Sequence, residues 1–236
     1  MCLPICESAA LTADAVAESV QYQGRKASRQ GSEQRRQTIL DAAMALVVRE
    51  GVRAVRHRAV AAEANVPLSA TTYYFKDIDD LITDTFAQFV ERRAAYMAGF
   101  WTRTHAILQE QVDKQDGSAR SRRRVADEIA RLAVEYVRHQ LLTRRNELLA
   151  EQAFQQEALL NPRLHALVRA HRQILLRGVM QFLQVLGSQE PAQDAKLLTG
   201  IIQHMEYQGL LDGVEHLDRE EMLAVLQRYL YLVMGL

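Results

Sequence analysis

Arg56, His57 and Arg58 stand ten residues ahead of the run Leu68-Ser69-Ala70-Thr71-Thr72-Tyr73-Tyr74, which Lys76 closes. The first group offers two guanidinium ions and an imidazole at the start of a short helical pattern. The second offers hydroxyls, two phenols and two small apolar groups on a pattern with almost no greasy face of its own. None of these is paired as a nucleophile with its base. Their chemistry is recognition: cations and hydroxyls suit phosphate oxygens and base edges, and Leu68 and Ala70 suit thymine methyl groups. Such residues are useful only if two short helices hold them at a fixed angle. Val60, Ala61 and Ala64 repeat at i, i+1 and i+4, enough to dock the first helix on a core. Asn65 tolerates a left-handed backbone, so Ala64-Asn65-Val66 can turn sharply, and Pro67 sets φ where the second helix begins. Helix, short turn and helix is the arrangement whose second member enters a DNA major groove. The predicted DNA-contacting residues are Arg56, His57, Arg58, Leu68, Ser69, Ala70, Thr72, Tyr73, Tyr74 and Lys76.

The charge balance agrees once it is mapped along the chain. The 236 residues carry 29 Lys and Arg against 29 Asp and Glu, a formal net charge of +0. From Gln21 to Val60, however, nine Lys or Arg face only three acids, so this segment stands at +6 and the remainder at −6. A basic part on a neutral whole fits a DNA-facing region attached to a body that does not face DNA. With 48% hydrophobic residues, 4 Pro and 11 Gly, the composition favours a helical, globular chain. Cys2 and Cys6 can neither build a disulfide framework nor complete a structural zinc site alone. The first residues lack a basic start followed by an apolar stretch, and no run of 18 apolar residues occurs. The expectation is a cytoplasmic protein without a membrane partner.

Three divisions are predicted. Residues 1–31 read as a poorly ordered extension, whose basic Gln21–Gly31 is either an arm on DNA or a solvated tail. Residues 32–77 read as the helix-turn-helix domain. Ser32 is its expected N-cap, and Ile39, Leu40, Ala43, Met44 and Val47 form the stripe of a first helix stopped by Gly51. Residues 78–236 read as a helical regulatory and dimerisation domain. It opens on one long helix from Ile78, with Gly99 as the place where a break would fall. Lys114–Arg120 reads as a loop, Arg122–Leu142 and Arg145–Leu160 as helices, and a further helix runs from Pro162 to Leu186. Pro191 precedes the next, and Arg219–Met234 is the last. The fold class expected is all-α, with about nine helices.

Gln37 to Thr85 resembles the DNA-binding domain of the tetracycline-repressor (TetR) family of bacterial regulators. The likeness is carried by ILDAAMALVVREG (Ile39–Gly51), RAVAAEANV (Arg58–Val66), TTYYF (Thr71–Phe75) and KDIDDLI (Lys76–Ile82). Thr72 stands where that family usually has a phosphate-contacting tyrosine, and Asn65 stands for its usual turn glycine. The resemblance implies that Phe75 is core, that the body is a helical ligand-binding domain, and that two copies pair through the last two helices. Leu197, Leu198, Ile201 and Ile202, with Leu223, Leu226, Tyr229, Leu230 and Val233, are the apolar residues expected to pair there.

The functional expectation is a regulator that binds double-stranded DNA at a palindromic operator, most simply a repressor released by a small-molecule effector. Tyr96, Trp101, His105, Tyr136, His139, Phe154, Met205 and Tyr207 are the predicted ligand-binding residues. They offer large apolar surface with isolated polar tips, which points to a largely apolar effector. Glu135 and His139 share a face, but the paired Glu-x-x-His motifs of a metal-binding bundle are missing. No metal or cofactor is expected. Without a glycine-rich phosphate loop or a nucleophile elbow, no enzyme is expected either. The alternative is a helical ligand-binding or interaction protein whose DNA binding is weak or lost.

Overall fold

The computed structural model describes residues 22–24, 30–113 and 118–236, and these contain nine α-helices and no strand. The helices are α1 (Gln30–Glu50), α2 (His57–Glu63), α3 (Leu68–Tyr74), α4 (Ile78–Asp113), α5 (Ala119–Thr143), α6 (Arg145–Ala158), α7 (His165–Val185), α8 (Pro191–Asp212) and α9 (Arg219–Met234). Cys2, Cys6, Arg25, Lys26 and Arg29 lie outside the described residues. Among those described, no helix is long and apolar enough to cross a membrane, and no group of three acids, His or Cys could hold a metal ion.

Most helix ends lie where the local chemistry puts them. Gly51 (φ 84), Gly187 (φ 82) and Gly213 (φ 96) take positive φ, which glycine accepts without strain, where α1, α7 and α8 end. Asp218 caps α9 by accepting the amides of Glu220 and Glu221, each at 3.0 Å. Asn161 accepts the amide of Arg163 ahead of the short 3-10 turn Pro162–Leu164 that leads into α7. Two expectations are corrected. Ser32 does not cap α1, which begins two residues earlier; its hydroxyl instead lies 2.9 Å from that of Tyr74. Gly99 does not break α4, because an isolated glycine costs a helix interior only about 1 kcal/mol.

Contacts gather the described chain into two compact units. One holds the residues up to Tyr96 together with Leu149–Arg172. Within it Ile39, Leu40 and Val47 of α1, and Val60, Phe75, Leu81 and Phe86, are all buried. Phe154 of α6 stacks on Phe86 with ring centres 4.3 Å apart and planes 12° from parallel.

The other unit holds Met97–Leu148 and Gln173–Leu236. Here Val125, Ala130, Val134, Val137 and Leu141 of α5 share one core with Met205 of α8 and Met222, Leu226, Tyr229, Leu230 and Met234 of α9. The Tyr229 hydroxyl donates to the carbonyl of Asp194 at 2.7 Å. Leu226, Tyr229 and Leu230 are therefore filling the monomer, contrary to the pairing role expected of them. The richest apolar stripe of α9 is its core face. The residues left outside are Val225 and Leu232 on α9 and Leu197, Tyr207 and Leu211 on α8.

The α2–α3 turn carries the strictest backbone requirement. Asn65 is the one non-glycine residue at positive φ among those described, at 50°. The amide of Val66 bonds to Ala61 O at 3.0 Å and that of Asn65 to Ala62 O at 3.2 Å, the paired closure of a Schellman motif. Asn65→Gly should therefore be tolerated. Asn65→Val, whose branched Cβ opposes this region, should cost about 1–2 kcal/mol, as read by urea unfolding of the two variants.

Candidate nucleic-acid interface

The turn fixes which side chains of α2 and α3 can face outward. Val60 and Ala61 are buried on α2, and on α3 only Thr71 and Tyr74 are. Thr71 donates its hydroxyl to Leu68 O at 2.8 Å, which removes it from the surface. Leu68, Ser69, Thr72 and Tyr73 are left exposed on the remaining faces, and Ala70 is half-buried. Tyr73 is 52% exposed, although a tyrosine could have been covered at little cost in desolvation. Arg56, Arg58 and Lys76 are exposed as well, so three cations flank the hydroxyl-bearing helix. With their stems on the protein and their charges in water, they suit a line of phosphates.

Two predicted contacts stand apart. Tyr74 is only 5% exposed; its ring meets that of Tyr73 edge to face at 5.1 Å, and its hydroxyl pairs with Ser32. It is a packing residue of the head, a correction to its expected contact with DNA. Neighbouring positions on a helix point about 100° apart, and Tyr74, three residues after the buried Thr71, shares its inward face. Composition alone did not say which one turns inward. His57 is half-buried, with both ring nitrogens enclosed and not hydrogen-bonded among the described residues.

Behind this surface lie Phe75, expected in the core, and two residues that sequence reasoning passed over, Arg36 and Asp84. Phe75, immediately after α3, is fully buried. Arg36 of α1 lies with its guanidinium carbon 5.6 Å from the centre of that ring and donates to Asp84 of α4 at 2.6 Å. Both partners are buried. The available signal was weak: Asp84 sits within an apolar stretch of α4, where a carboxylate needs donors.

A family model for bacterial regulatory proteins of the tetR family matches residues 39–85, which span α1, α2, α3 and the start of α4. Over these residues the chain carries a DNA-binding domain of the TetR family. A TetR-family member from Streptomyces coelicolor A3 is 29% identical over 83% of this chain and 97% of its own, with a TM-score of 0.56. The multidrug binding protein EbrR, complexed with malachite green, is also 29% identical over 83% and 97%, with a TM-score of 0.54. A transcriptional regulator from Rhodococcus sp. Rha1 is 17% identical with a TM-score of 0.57, a likeness of fold alone. No curated protein matches the chain. The all-α architecture with an N-terminal helix-turn-helix is that of a TetR-family transcriptional regulator.

The predicted effector-binding residues divide between the two units of the chain. Trp101, His105 and Tyr136 fall in one aromatic cluster. Phe100 lies 5.0 Å from Trp101 and 4.9 Å from Tyr136, and Trp101 lies 5.9 Å from both His105 and Phe182. Gly178 of α7 makes room for the indole, since a Cβ there would stand 2.0 Å from Trp101 Nε1. Met205 is buried in the same unit, but Tyr207 is half exposed. Two residues along a helix turn by about 200°, so these two cannot line one wall. His139 is exposed and bonds locally, its Nε2 3.3 Å from the Thr143 hydroxyl. Phe154 and Tyr96 belong to the other unit, where Phe154 is fully enclosed by packing and Tyr96 lies 5.7 Å below the Arg93 guanidinium. The positions that remain together are Trp101, His105 and Tyr136.

His105 is buried with Nε2 enclosed and unbonded, and burial holds its imidazole below the ordinary value of 6.5 against an opposing bond to the Trp101 backbone. The folded chain resists the proton that the unfolded chain accepts near 6.5. Stability should then fall as pH drops below about 6.5, and His105→Leu should flatten that part of the profile. Unfolding midpoints for both proteins, taken above and below this pH, check the expectation.

Proposed function

We propose that this TetR-family chain is a repressor that binds a palindromic operator as a two-fold dimer and leaves it when an effector occupies its helical body. The observation that carries the reading is the surface of α2 and α3, where Arg56, Arg58, Leu68, Ser69, Thr72, Tyr73 and Lys76 are exposed around a helix that commits only two side chains to the core. A single head contacts too little DNA for tight specific binding, so two must act together with recognition helices roughly 34–36 Å apart. The outward Leu197, Tyr207 and Leu211 of α8 and Val225 and Leu232 of α9 supply an apolar surface for such pairing. On this reading residues 32–77 read the operator, and residues 78–236 sense the effector and dimerise.

The effector class follows from the aromatic cluster of Phe100, Trp101, His105, Tyr136 and Phe182. Flat rings of this kind favour a planar, largely apolar molecule. Solved structures of the similar EbrR are complexes with proflavin, malachite green and ethidium. On this reading α4, one uninterrupted helix from Ile78 to Asp113, is the element through which the effector acts. The effector lowers operator affinity by no more than its differential affinity for the two states.

The experiment begins with a duplex selected from a random-sequence pool by the wild-type protein. Arg58→Ala should weaken its binding by about 1–3 kcal/mol at fixed salt, while light scattering still reports a dimer. Proflavin, used as a probe, should raise the melting temperature and release the duplex. A chain that selects no duplex and whose retention on DNA does not fall with salt is the interaction protein instead. Ligands that bind without moving operator affinity refute the release mechanism.

A further inference from the structure

The proposed function makes α3 the reading helix, and its C-terminal end is held from behind by a segment outside the helix-turn-helix. Tyr22, Gln23 and Gly24 lie against α1 and α4. The amides of Gln23 and Gly24 donate to Asp84 Oδ1 and Oδ2 at 2.6 and 2.9 Å. Arg36 donates to the same Oδ2 at 2.6 Å, so the buried carboxylate receives three donors, two of them from the segment. The Tyr22 hydroxyl donates to Glu91 at 2.6 Å, and the Tyr22 ring lies 4.6 Å beneath the Arg36 guanidinium. Burial and the bond to Glu91 both raise the phenol above its ordinary value, so it remains a donor. Gly24 rests directly on Phe75: a Cβ there would come within 2.7 and 2.9 Å of ring carbons of Phe75 and 2.8 Å of Asp84 Oδ2.

Phe75 is the residue that ends the reading helix, its amide closing α3 on Thr71 O at 3.0 Å. Its ring is covered by Gly24 and by an Arg36 that the segment helps to hold. We propose that Tyr22–Gly24 is a strap that positions the reading helix, with Gly24, Tyr22 and Asp84 as positioning residues for operator recognition. None of them is offered as a DNA contact. The strap completes a buried ion pair, the ion pair and the glycine fix Phe75, and Phe75 sets where α3 stops. A carboxylate stripped of two of three donors, or a ring pushed aside, lets the helix end shift. Base-edge contacts are far more sensitive to a small shift than phosphate contacts, which a long cationic side chain can follow. The strap therefore serves specificity rather than affinity for DNA in general.

Gly24→Ala tests this in the full chain, because the added methyl displaces the strap and leaves every proposed DNA-facing residue untouched. Gly31→Ala is the control, since its Cβ would meet nothing within 4 Å. Binding is measured by fluorescence anisotropy at one salt concentration, with the duplex selected by the wild-type protein and a scrambled duplex of equal length. Gly24→Ala should lose roughly tenfold on the selected duplex, the cost typical of a spoiled base contact, and keep wild-type affinity for the scrambled one. Gly31→Ala should match the wild type on both. Tyr22→Ala, which adds no bulk, should reproduce the selective loss if Gly24→Ala proves poorly folded. Unchanged binding of the selected duplex by a folded strap variant overturns the proposal, and so does an equal loss on both duplexes. A wild-type protein that selects no duplex removes the DNA-binding reading itself, and this proposal with it.

Discussion

A carboxylate with no access to water must be matched by donors, and in one unit of this protein Asp84 imposes that demand. An ionised group in such a place is several kcal/mol less stable than in solvent unless charge and hydrogen bonds replace the lost water. Arg36 supplies the charge, and the amides of Gln23 and Gly24 supply the remaining donors. The arrangement therefore constrains three stretches of sequence at once: the residues before α1, α1 itself and the first half of α4. Buried ion pairs contribute little net stability compared with a well-packed apolar substitute, yet breaking one is costly. Their advantage is geometric, because only one relative position of the three stretches satisfies every donor and acceptor.

How much of this was legible in the sequence depended on whether the deciding chemistry was local. Asn65, Gly51 and Gly187 could be read as turn or stop positions because tolerance of positive φ is a property of the residue itself, and all three adopt it. Pro191 and Arg219 likewise begin helices where the breakers and caps placed them. The failures share the opposite cause. Tyr73 and Tyr74 are chemically identical, and it is the packing face set by Thr71, with Ser32 across from it, that takes Tyr74 in. Leu226, Tyr229 and Leu230 made the most apolar stripe on α9, and that stripe packs into the core of the unit, where it shares contacts with α5 and α8. Tyr22–Gly24 lie in a polar stretch with no periodicity, so nothing local distinguished three docked residues from a solvated tail.

The second unit is organised around small residues that admit large ones. Gly178 leaves space for the Trp101 indole, and Gly209 does the same for Leu141, whose Cδ1 a Cβ at that position would meet at 2.3 Å. Helix interiors lose about 1 kcal/mol for each glycine relative to alanine, so both positions give up backbone stability in return for close packing. The aromatic cluster around Trp101 is thus built on a site where the helix backbone itself forms part of the wall. Trp101 Nε1 and His105 Nε2 are enclosed without a hydrogen bond among the described residues. Two unmatched polar atoms in an otherwise apolar cluster are a place where a planar guest with one or two polar edges would gain more than a purely aliphatic one.

On the proposed function, recognition of DNA and release by an effector place opposite demands on α4. Specific recognition of DNA through a small head requires the reading helix to be held in place beforehand, because ordering it on binding would subtract from an interface of modest size. Release by an effector requires that some element have two arrangements close in free energy. A buried, fully matched carboxylate is suited to the first demand and unsuited to the second, since any movement leaves Asp84 or Arg36 unpaired. The adjustable element should therefore lie away from Asp84, in the part of α4 beyond Met97 where half-buried Phe100 and Trp101 are held by ring contacts. Ring contacts of that kind are weakly directional, and they can be exchanged for contacts with a guest without leaving a charge stranded. On that reading the interactions of α4 differ along its length, directional and charged around Asp84, aromatic and replaceable around Trp101.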